Sequence, residues 1–348
     1  MVHRHRIELA SLTQWITAAA LREGDTLAAA LVQRLGIGRR RAQRLLRRVA
    51  AAQWLVDEGT PRRPRWRPGA LRQVVARHAV AGLQEDRLWR RDFAPCFELP
   101  REVQRMAQHA FTELVDNAVE HSRGTQVTVS MRQTPLQLQL LVSDDGCGLF
   151  EHIERHFGID EPALAMLELG KGKLTSAPER HCGHGLHVAS RLADVFDLHA
   201  NAANFQRCAW TGGRWHAVHR RAALAAHAGT SIYLAIALDT TRTLDAVLRE
   251  CSQDGGSYGF ETARVQLALL AAGCGLLASR ADARRATARL EQFRRAEIDF
   301  AGIDAVGHGF ADELLRVYAR EHPEVALVAT AAGPRVEAML KSVAPPAR

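Results

Sequence analysis

The chain has 348 residues, of which 47% are hydrophobic and 24% charged, and a formal net charge of +8. That length suits two or three domains, and the apolar content excludes wholesale disorder. No charged segment followed by an apolar run opens the chain, and its longest apolar run, Leu267 to Ala278, falls short of the ~20 residues a bilayer span needs. A cytoplasmic protein with no membrane partner is therefore expected. Cys96, Cys147, Cys182, Cys208, Cys251 and Cys274 form no C-x-x-C pair, which favours reduced structural thiols over zinc ligands.

The charge is unevenly placed. Residues 1–78 hold 16 Arg and 5 acidic residues, a surplus of 11; the remaining 270 residues hold 30 basic and 33 acidic groups, or −3. An anionic partner is thus expected for the first unit alone. There, Leu9 to Leu21 has helical apolar spacing through Leu12, Ile16 and Ala20. Asp25 or Thr26 suits the cap of a second helix ending at Leu35, and Gly36-Ile-Gly38 a tight turn. Arg39 to Ala52 predicts a third helix carrying Arg39, Arg40, Arg41, Arg44, Arg47 and Arg48. Strands are expected at Gln53–Val56 and near Arg65–Arg67. Three helices and a hairpin resemble the winged helix-turn-helix of bacterial regulators. Such a third helix can lie in a DNA major groove, its arginines reaching phosphates and guanine edges. Arg62, Arg63, Arg65 and Arg67 would straddle the backbone or minor groove. A solvated basic face and a protein-docking surface are the competing readings.

The second unit spans about 93–239. A long helix is expected from Pro100 to Ser122, with Gly124 suited to its C-terminal cap. Strands follow at Gln126–Met131 and Leu136–Val142, where apolar residues alternate. Glu151 to Cys182 reads as a long, flexible polar stretch, followed by a helix from Leu186 to Ala193. Further strands are expected at Val195–Ala200, Gln206–Thr211, Trp215–Arg220 and Thr230–Ala237, with Gly212-Gly213 as a hairpin turn.

Within this unit three motifs come in order. In Phe111-Thr-Glu-Leu-Val-Asp-Asn-Ala-Val-Glu-His121, Glu113 and Asn117 lie about 40° apart opposite the apolar stripe, with His121 at its border. An amide carbonyl suits magnesium, which takes oxygen ligands and keeps waters, so Asn117 is the metal candidate. A carboxylate beside that metal can orient or deprotonate an attacking hydroxyl, the role expected of Glu113. Asp144-x-Gly146-x-Gly148 places a carboxylate at a strand end to accept from adenine's amine, with glycines that let backbone approach the base. Gly183-His-Gly185 opens a helix and points backbone amides at phosphates. Each motif alone is an ordinary helix or turn; the ordered triple predicts an ATP site.

The triple resembles the GHKL ATPases of gyrase, heat-shock chaperones, mismatch-repair proteins and histidine kinases, over about 140 residues. The resemblance implies that Gly229-Thr230 contacts the base pocket, and makes Asp144, Gly146, Gly148, Gly183, Gly185, Thr230 and His121 the nucleotide-binding set. Glu113, where histidine kinases have Asn, is similar to gyrase-like ATPases and to anti-sigma-factor serine kinases. His187 departs from the pattern, since many members have Gly there. Lys171 and Lys173 fall in the lid, where solvated lysines are the simpler reading against phosphate ligands.

After a linker at Ser252–Ser257, residues 258–343 predict a strand at Ala296–Phe300, a helix at Gly309–Arg320, a strand at Val325–Thr330 and a helix at Pro334–Ser342. Ile298 to Leu314 resembles a STAS-like domain, although His308 and Gly309 stand where phosphorylated relatives carry Ser. Asp299, Asp304, Asp312 and Glu313 read as caps and surface charge rather than metal ligands. The expected fold is α/β (α+β): a GHKL two-layer sandwich flanked by a winged helix (1–78) and a small STAS-like domain. The expected protein is a bacterial cytoplasmic regulator that binds Mg-ATP, with DNA as partner of the first unit and a protein as partner of the STAS-like domain. The alternatives are a serine/threonine kinase acting on a separate partner and a DNA-associated ATPase; oligomeric state stays open.

Overall fold

The computed structural model describes residues 9–60, 62–176, 178–179, 182–218, 228–250, 260–274 and 276–343. In chain order the elements are α1 (Leu9–Glu23), α2 (Leu27–Leu35), α3 (Arg39–Ala51), β1 (Leu55–Asp57), β2 (Trp66–Pro68), β3 (Arg72–Ala79), α4 (Glu85–Leu88), α5 (Arg101–His121), β4 (Gln126–Gln133), β5 (Gln137–Asp144), α6 (Leu149–Phe157), α7 (Pro162–Lys171) and α8 (Gly185–Leu192). Then come β6 (Val195–Ala200), β7 (Ala203–Cys208), β8 (Trp215–Ala217), β9 (Thr230–Ala237), α9 (Leu244–Glu250), β10 (Thr262–Gln266), α10 (Leu267–Cys274), α11 (Arg280–Thr287), β11 (Arg295–Asp299), α12 (His308–Asp312), α13 (Ala319–Glu321), β12 (Ala326–Thr330) and α14 (Pro334–Val343). They fall into two compact units, one of residues up to Gly146 with Ser231–Thr241, the other of Cys147–Thr230 with the residues from Arg242 onward.

In the first unit, α1, α2 and α3 bury Leu12, Ile16, Leu27, Leu31, Ala42, Leu46 and Val49 in one cluster with Trp54, Leu55 and Trp66. Ala42, Leu45, Leu46 and Val49 recur at helical spacing, so α3 buries one face and leaves its arginines on the other. Gly36 ends α2 in the left-handed conformation at φ 61°. Thr26 is the N-cap of α2 without a side-chain cap bond; Asp25 instead pairs with Arg65 at 3.2 Å. The hairpin β1–β2 is antiparallel, and Asp57 Oδ1 shapes its turn by accepting from the Gly59 and Arg65 amides.

β3 is a strand the periodicity did not single out. It lies among the residues assigned to the basic unit, yet pairs antiparallel with β4 along its whole length, Arg72 to Gln133 and Ala79 to Gln126. The Thr17 hydroxyl on α1 accepts from the Gln73 amide at 3.0 Å, and Arg132 lies over the Trp54 ring. Strands β3, β4, β5 and β9 run antiparallel in that order. Residues of β4 and β5 alternate between buried and half-buried, as a sheet with one covered face requires. α5 contributes Val103, Met106, Ala110, Phe111, Leu114, Val115 and Ala118 to the core, and Trp89 and Phe93 tilt against Phe111. Past α5, Arg123 rather than Gly124 takes the left-handed conformation.

The second unit begins with α6 and α7, which occupy the stretch expected to be polar and flexible. Phe150, Ile153 and Ala165–Leu167 are buried there, and left-handed Gly158 and Gly172 end the two helices. Strands β6, β7 and β8 form an antiparallel meander. β7 starts at Ala203 and ends at Cys208, because Ala209–Thr211 turn into a short 3-10 segment. Of the strand expected at Trp215–Arg220, only Trp215–Ala217 is extended; residues 219–220, like the linker Ser252–Ser257, lie outside the described residues.

In the same unit β10, β11 and β12 make a parallel sheet in that order. α11 opens with a capping box between Ser279 and Asp282. The helix predicted over Gly309–Arg320 is α12 and α13 joined by a π turn, Glu313–Tyr318. Asp299, at the end of β11, is 0% exposed. Its carboxylate accepts from Arg214 on the β7–β8 hairpin at 2.8 Å, from Arg264 on β10 at 2.9 Å, and from the Ala301 amide. It is therefore a buried ionic hub, which corrects its reading as a cap or surface charge. Burial opposes its ionisation, but the Arg214 hydrogen bond and the other partners hold its carboxyl below the usual range. Gln266 and Trp215 exchange two further hydrogen bonds, side chain to backbone, at 2.8 and 2.6 Å.

His184 stacks on Phe260 with ring centroids 3.6 Å apart, and His187 meets the same ring edge-on. Burial, helped by Lys173, lowers His184 to about 4; burial, helped by Arg191 and Arg207, lowers His187 to about 3. Both stay neutral in the folded protein while the unfolded chain protonates near 6.5. Their contribution to stability is therefore complete above about pH 6.5 and is lost as pH falls towards 4 and 3. Urea unfolding should show a loss on the order of 1–2 kcal/mol between neutral pH and pH 5, and His187→Gln should flatten that dependence. An equally steep profile in the variant would refute the assignment.

Candidate functional site

α5 has two unlike faces. Its apolar stripe faces the core, while Glu113, Asn117 and His121 are half-buried on the rest of its circumference. His109 continues that line one turn earlier, with a buried Nε2 that has no hydrogen-bond partner, and burial pushes its pKa down. Sequence reasoning passed over His109, although its four-residue spacing from Glu113 placed it on the same face.

Asp144 closes β5 and is 6% exposed, its Oδ1 accepting from the Gly146 amide at 2.9 Å. Beside it, the Ser143 and Ser231 hydroxyls join β5 to β9 at 2.6 Å. The neighbouring Asp145 has a different task. Its exposed carboxylate accepts from the Thr125 amide and hydroxyl and the Gln126 amide, and these bonds, that of Gln126 foremost, lower its pKa. A Cβ on Gly146 would collide with the Ser122 carbonyl, and one on Gly124 with Asp145 and the Gly146 amide. The turn after Asp144 thus sits directly on the end of α5, next to His121. Gly146 is required by this contact with Ser122, a reason different from the approach of a base that its motif suggested.

The remaining motif residues belong to the second unit. Gly148 has φ 88°, and a Cβ there would strike Asn201, whose amide donates to the Cys147 carbonyl at 2.9 Å. Gly183, with φ 73°, lies against the Leu174 carbonyl, and Gly185 begins α8. His181 lies outside the described residues. Thr230 is the half-buried first residue of β9. His187 packs its ring against Gly172, where a Cβ would meet it at 3.2 Å.

Both lid lysines have partners within the fold. Lys171 is buried, bonded to Glu168 at 2.7 Å and to the Ala288 carbonyl at 2.6 Å. Lys173 donates to the Gln292 carbonyl and lies over the Phe293 ring. Burial drives the pKa of both downward. This stretch reads as polar in sequence because Lys171, Lys173 and Glu168 each have a partner more than a hundred residues away.

On α3, Arg39, Arg40, Arg44, Arg47 and Arg48 are exposed, and none of them forms an ion pair among the described residues. The hairpin is less available than expected, because Arg65 pairs with Asp25 and Arg67 with Glu58. Arg62 and Arg63 are exposed.

Among the described residues, no three His, Cys, Asp or Glu side chains are grouped to hold a metal, and no helix is long and apolar enough to cross a membrane. A single amide such as Asn117 fits magnesium only when phosphate oxygens and waters complete the shell. The buried carboxylate of Asp144 is the type of acceptor an exocyclic amine needs.

No curated protein matches the chain. Two family models do. The model for histidine kinase-, DNA gyrase B- and HSP90-like ATPases matches residues 102–239, a range that holds all three motifs. The model for a STAS-like domain of unknown function matches residues 282–336. Residues 102–239 are therefore a GHKL-type domain of that nucleotide-binding ATPase family, and residues 282–336 are a STAS-like domain.

Proposed function

We propose that the protein is an ATP-dependent regulator whose GHKL-type domain binds Mg-ATP and whose basic N-terminal module, read as a winged helix, binds DNA. The buried Asp144 carboxylate, seated on the end of the helix that carries Glu113 and Asn117, is the observation that carries the nucleotide reading. In this reading Asp144 accepts from the adenine amine, Asn117 supplies one oxygen to magnesium, and Glu113 orients or deprotonates the attacking hydroxyl. Gly183, Gly185 and Thr230 keep the roles their motifs suggest, phosphates for the glycines and the base pocket for Thr230. The STAS-like domain is read as transmitting nucleotide state to a protein partner. Between Ile303 and Phe310 it has no Ser or Thr, so it does not itself suggest a serine phosphorylated in cis.

Calorimetric titration with ATP tests the site. Asp144→Asn should weaken binding by roughly 1.5–3 kcal/mol, the worth of a charge-assisted hydrogen bond. Glu113→Ala should leave affinity nearly intact and slow any hydrolysis or transfer by about 10²–10⁴. Asn117→Ala should remove the magnesium dependence of affinity, because an oxygen leaves the ion's shell. Wild-type affinity in Asp144→Asn would overturn the base assignment.

The DNA reading rests on the exposed arginines of α3. Affinity of the full chain for duplex DNA should fall with salt, and a variant with Arg40, Arg44 and Arg47 changed to Gln should lose about 0.9 of the log–log slope per removed contact. An unchanged slope would instead make α3 a protein-docking face.

A further inference from the structure

We propose that an arginine-lined cavity in the second unit, formed by α7, α8, the β7–β8 hairpin and β10, is a binding site for a phosphate group. Arg191, Arg207 and Arg264 all line it, together with His187, Ser190 and Gln266.

The cavity is poorly compensated in charge. Arg191, Arg207, Arg214, Arg242 and Arg264 crowd this region, and their carboxylate partners are Glu250, Asp194 and Asp299. Of the three arginines that line the cavity, Arg191 has Glu250 at 3.8 Å and Arg264 has Asp299, while Arg207 has no ion pair among the described residues. Arg207 is the centre of the imbalance. Its Nη1 donates to the Ser190 carbonyl at 2.7 Å and its Nε to the Gly213 carbonyl at 3.1 Å, so its partners are neutral. Burial, then Arg191, Arg242 and Arg264 together, push its pKa down to about 10. Like charges gathered in a desolvated place are unfavourable unless an anion joins them.

The shape narrows the ligand. The cavity is about 30 Å³, on the order of two waters, so it takes the oxygens of a small group and leaves any ester substituent outside it. His187 is neutral and adds no charge. Guanidinium forks bind tetrahedral oxyanions through paired N–H donors. The shared chemistry is a phosphoryl dianion, as inorganic phosphate or as a small phosphomonoester. Arg191 and Arg207 stand on α8 and β7, and Arg264 on β10 of the parallel sheet. An anion here would cross-link the two layers, adding to what the Asp299 carboxylate does nearby.

Calorimetry of the full chain with inorganic phosphate, at ionic strength matched with chloride, tests the site. Saturable binding is expected in the wild type. Arg191→Gln should weaken it by roughly tenfold or more, since one charge-assisted donor is lost. Glu250→Gln should tighten it, because Arg191 loses a carboxylate 3.8 Å away; a merely structural cluster would not respond in that direction. Phosphate binding that persists in Asp144→Asn supports a site separate from the base-binding residues. Binding of phenyl phosphate as well as phosphate would identify phosphomonoesters as ligands; phosphate alone would identify the free anion. Absent phosphate binding in the wild type, or equal binding in wild type, Arg191→Gln and Glu250→Gln, would overturn the proposal, whatever the outcome for ATP.

Discussion

The two-faced helix α5 is the constraint on which the first unit depends. Its buried stripe, from Val103 to Ala118, is fixed by the alternating apolar residues of β4 and β5 beneath it and by Trp89 and Phe93 beside it. Once that stripe is committed to the core, the rotation of the helix is set. Glu113, Asn117 and His121 then have no choice of side. The same packing seats the turn after Asp144 on Ser122, so two motifs more than twenty residues apart in sequence meet at one end of one helix. Apolar burial thus places polar chemistry, and a small shift in the core would move the Asp144 carboxylate with it.

In the second unit the equivalent role falls to a charge. Asp299 is wholly buried, and a lone carboxylate there would be expensive. Two arginines and a backbone amide make it tolerable, and one of those arginines, Arg214, comes from the β7–β8 hairpin rather than from the parallel sheet. Lys171 with the Ala288 carbonyl, and Gln266 with Trp215, repeat the arrangement: a polar group on one element finds a partner on another. Apolar contacts alone would tolerate sliding between layers. Polar groups that must find fixed partners penalise it, so the docking is specific as well as favourable.

Much of this was legible in the sequence. The helices α1, α2, α3 and α5 announce themselves by apolar spacing, β4 and β5 by alternation, and Asp144 and Asn117 by the ordered motifs around them. What stayed hidden depends on distant partners. β3 (Arg72–Ala79) has no clean apolar alternation in its sequence, and its pairing with β4 shows it to be a strand. α6 and α7 look polar because Glu168 and Lys171 are charged, yet both are buried against each other. Asp299 looks like a cap because its arginines lie 35 and 85 residues away. At Gly146 and Gly148 the sequence does not show that a Cβ would meet Ser122 and Asn201. Spacing reports what a residue does within its own element; it is silent on contacts made across the fold.

The arginines divide by the same logic. Those in the second unit are mostly tied to carboxylates or carbonyls, as Arg214, Arg242, Arg264 and Arg289 are. Their charge is spent on holding the structure, whereas Arg207 has neutral hydrogen-bond partners. On α3 the opposite holds: Leu45, Leu46 and Val49 do the packing, and Arg39, Arg40, Arg44, Arg47 and Arg48 are exposed with no ion pair among the described residues. Folding gains nothing from five like charges on one exposed helix, since they repel one another in water. Such a face is stable only because the apolar side of α3 is well buried, and its charge remains available to an anionic partner.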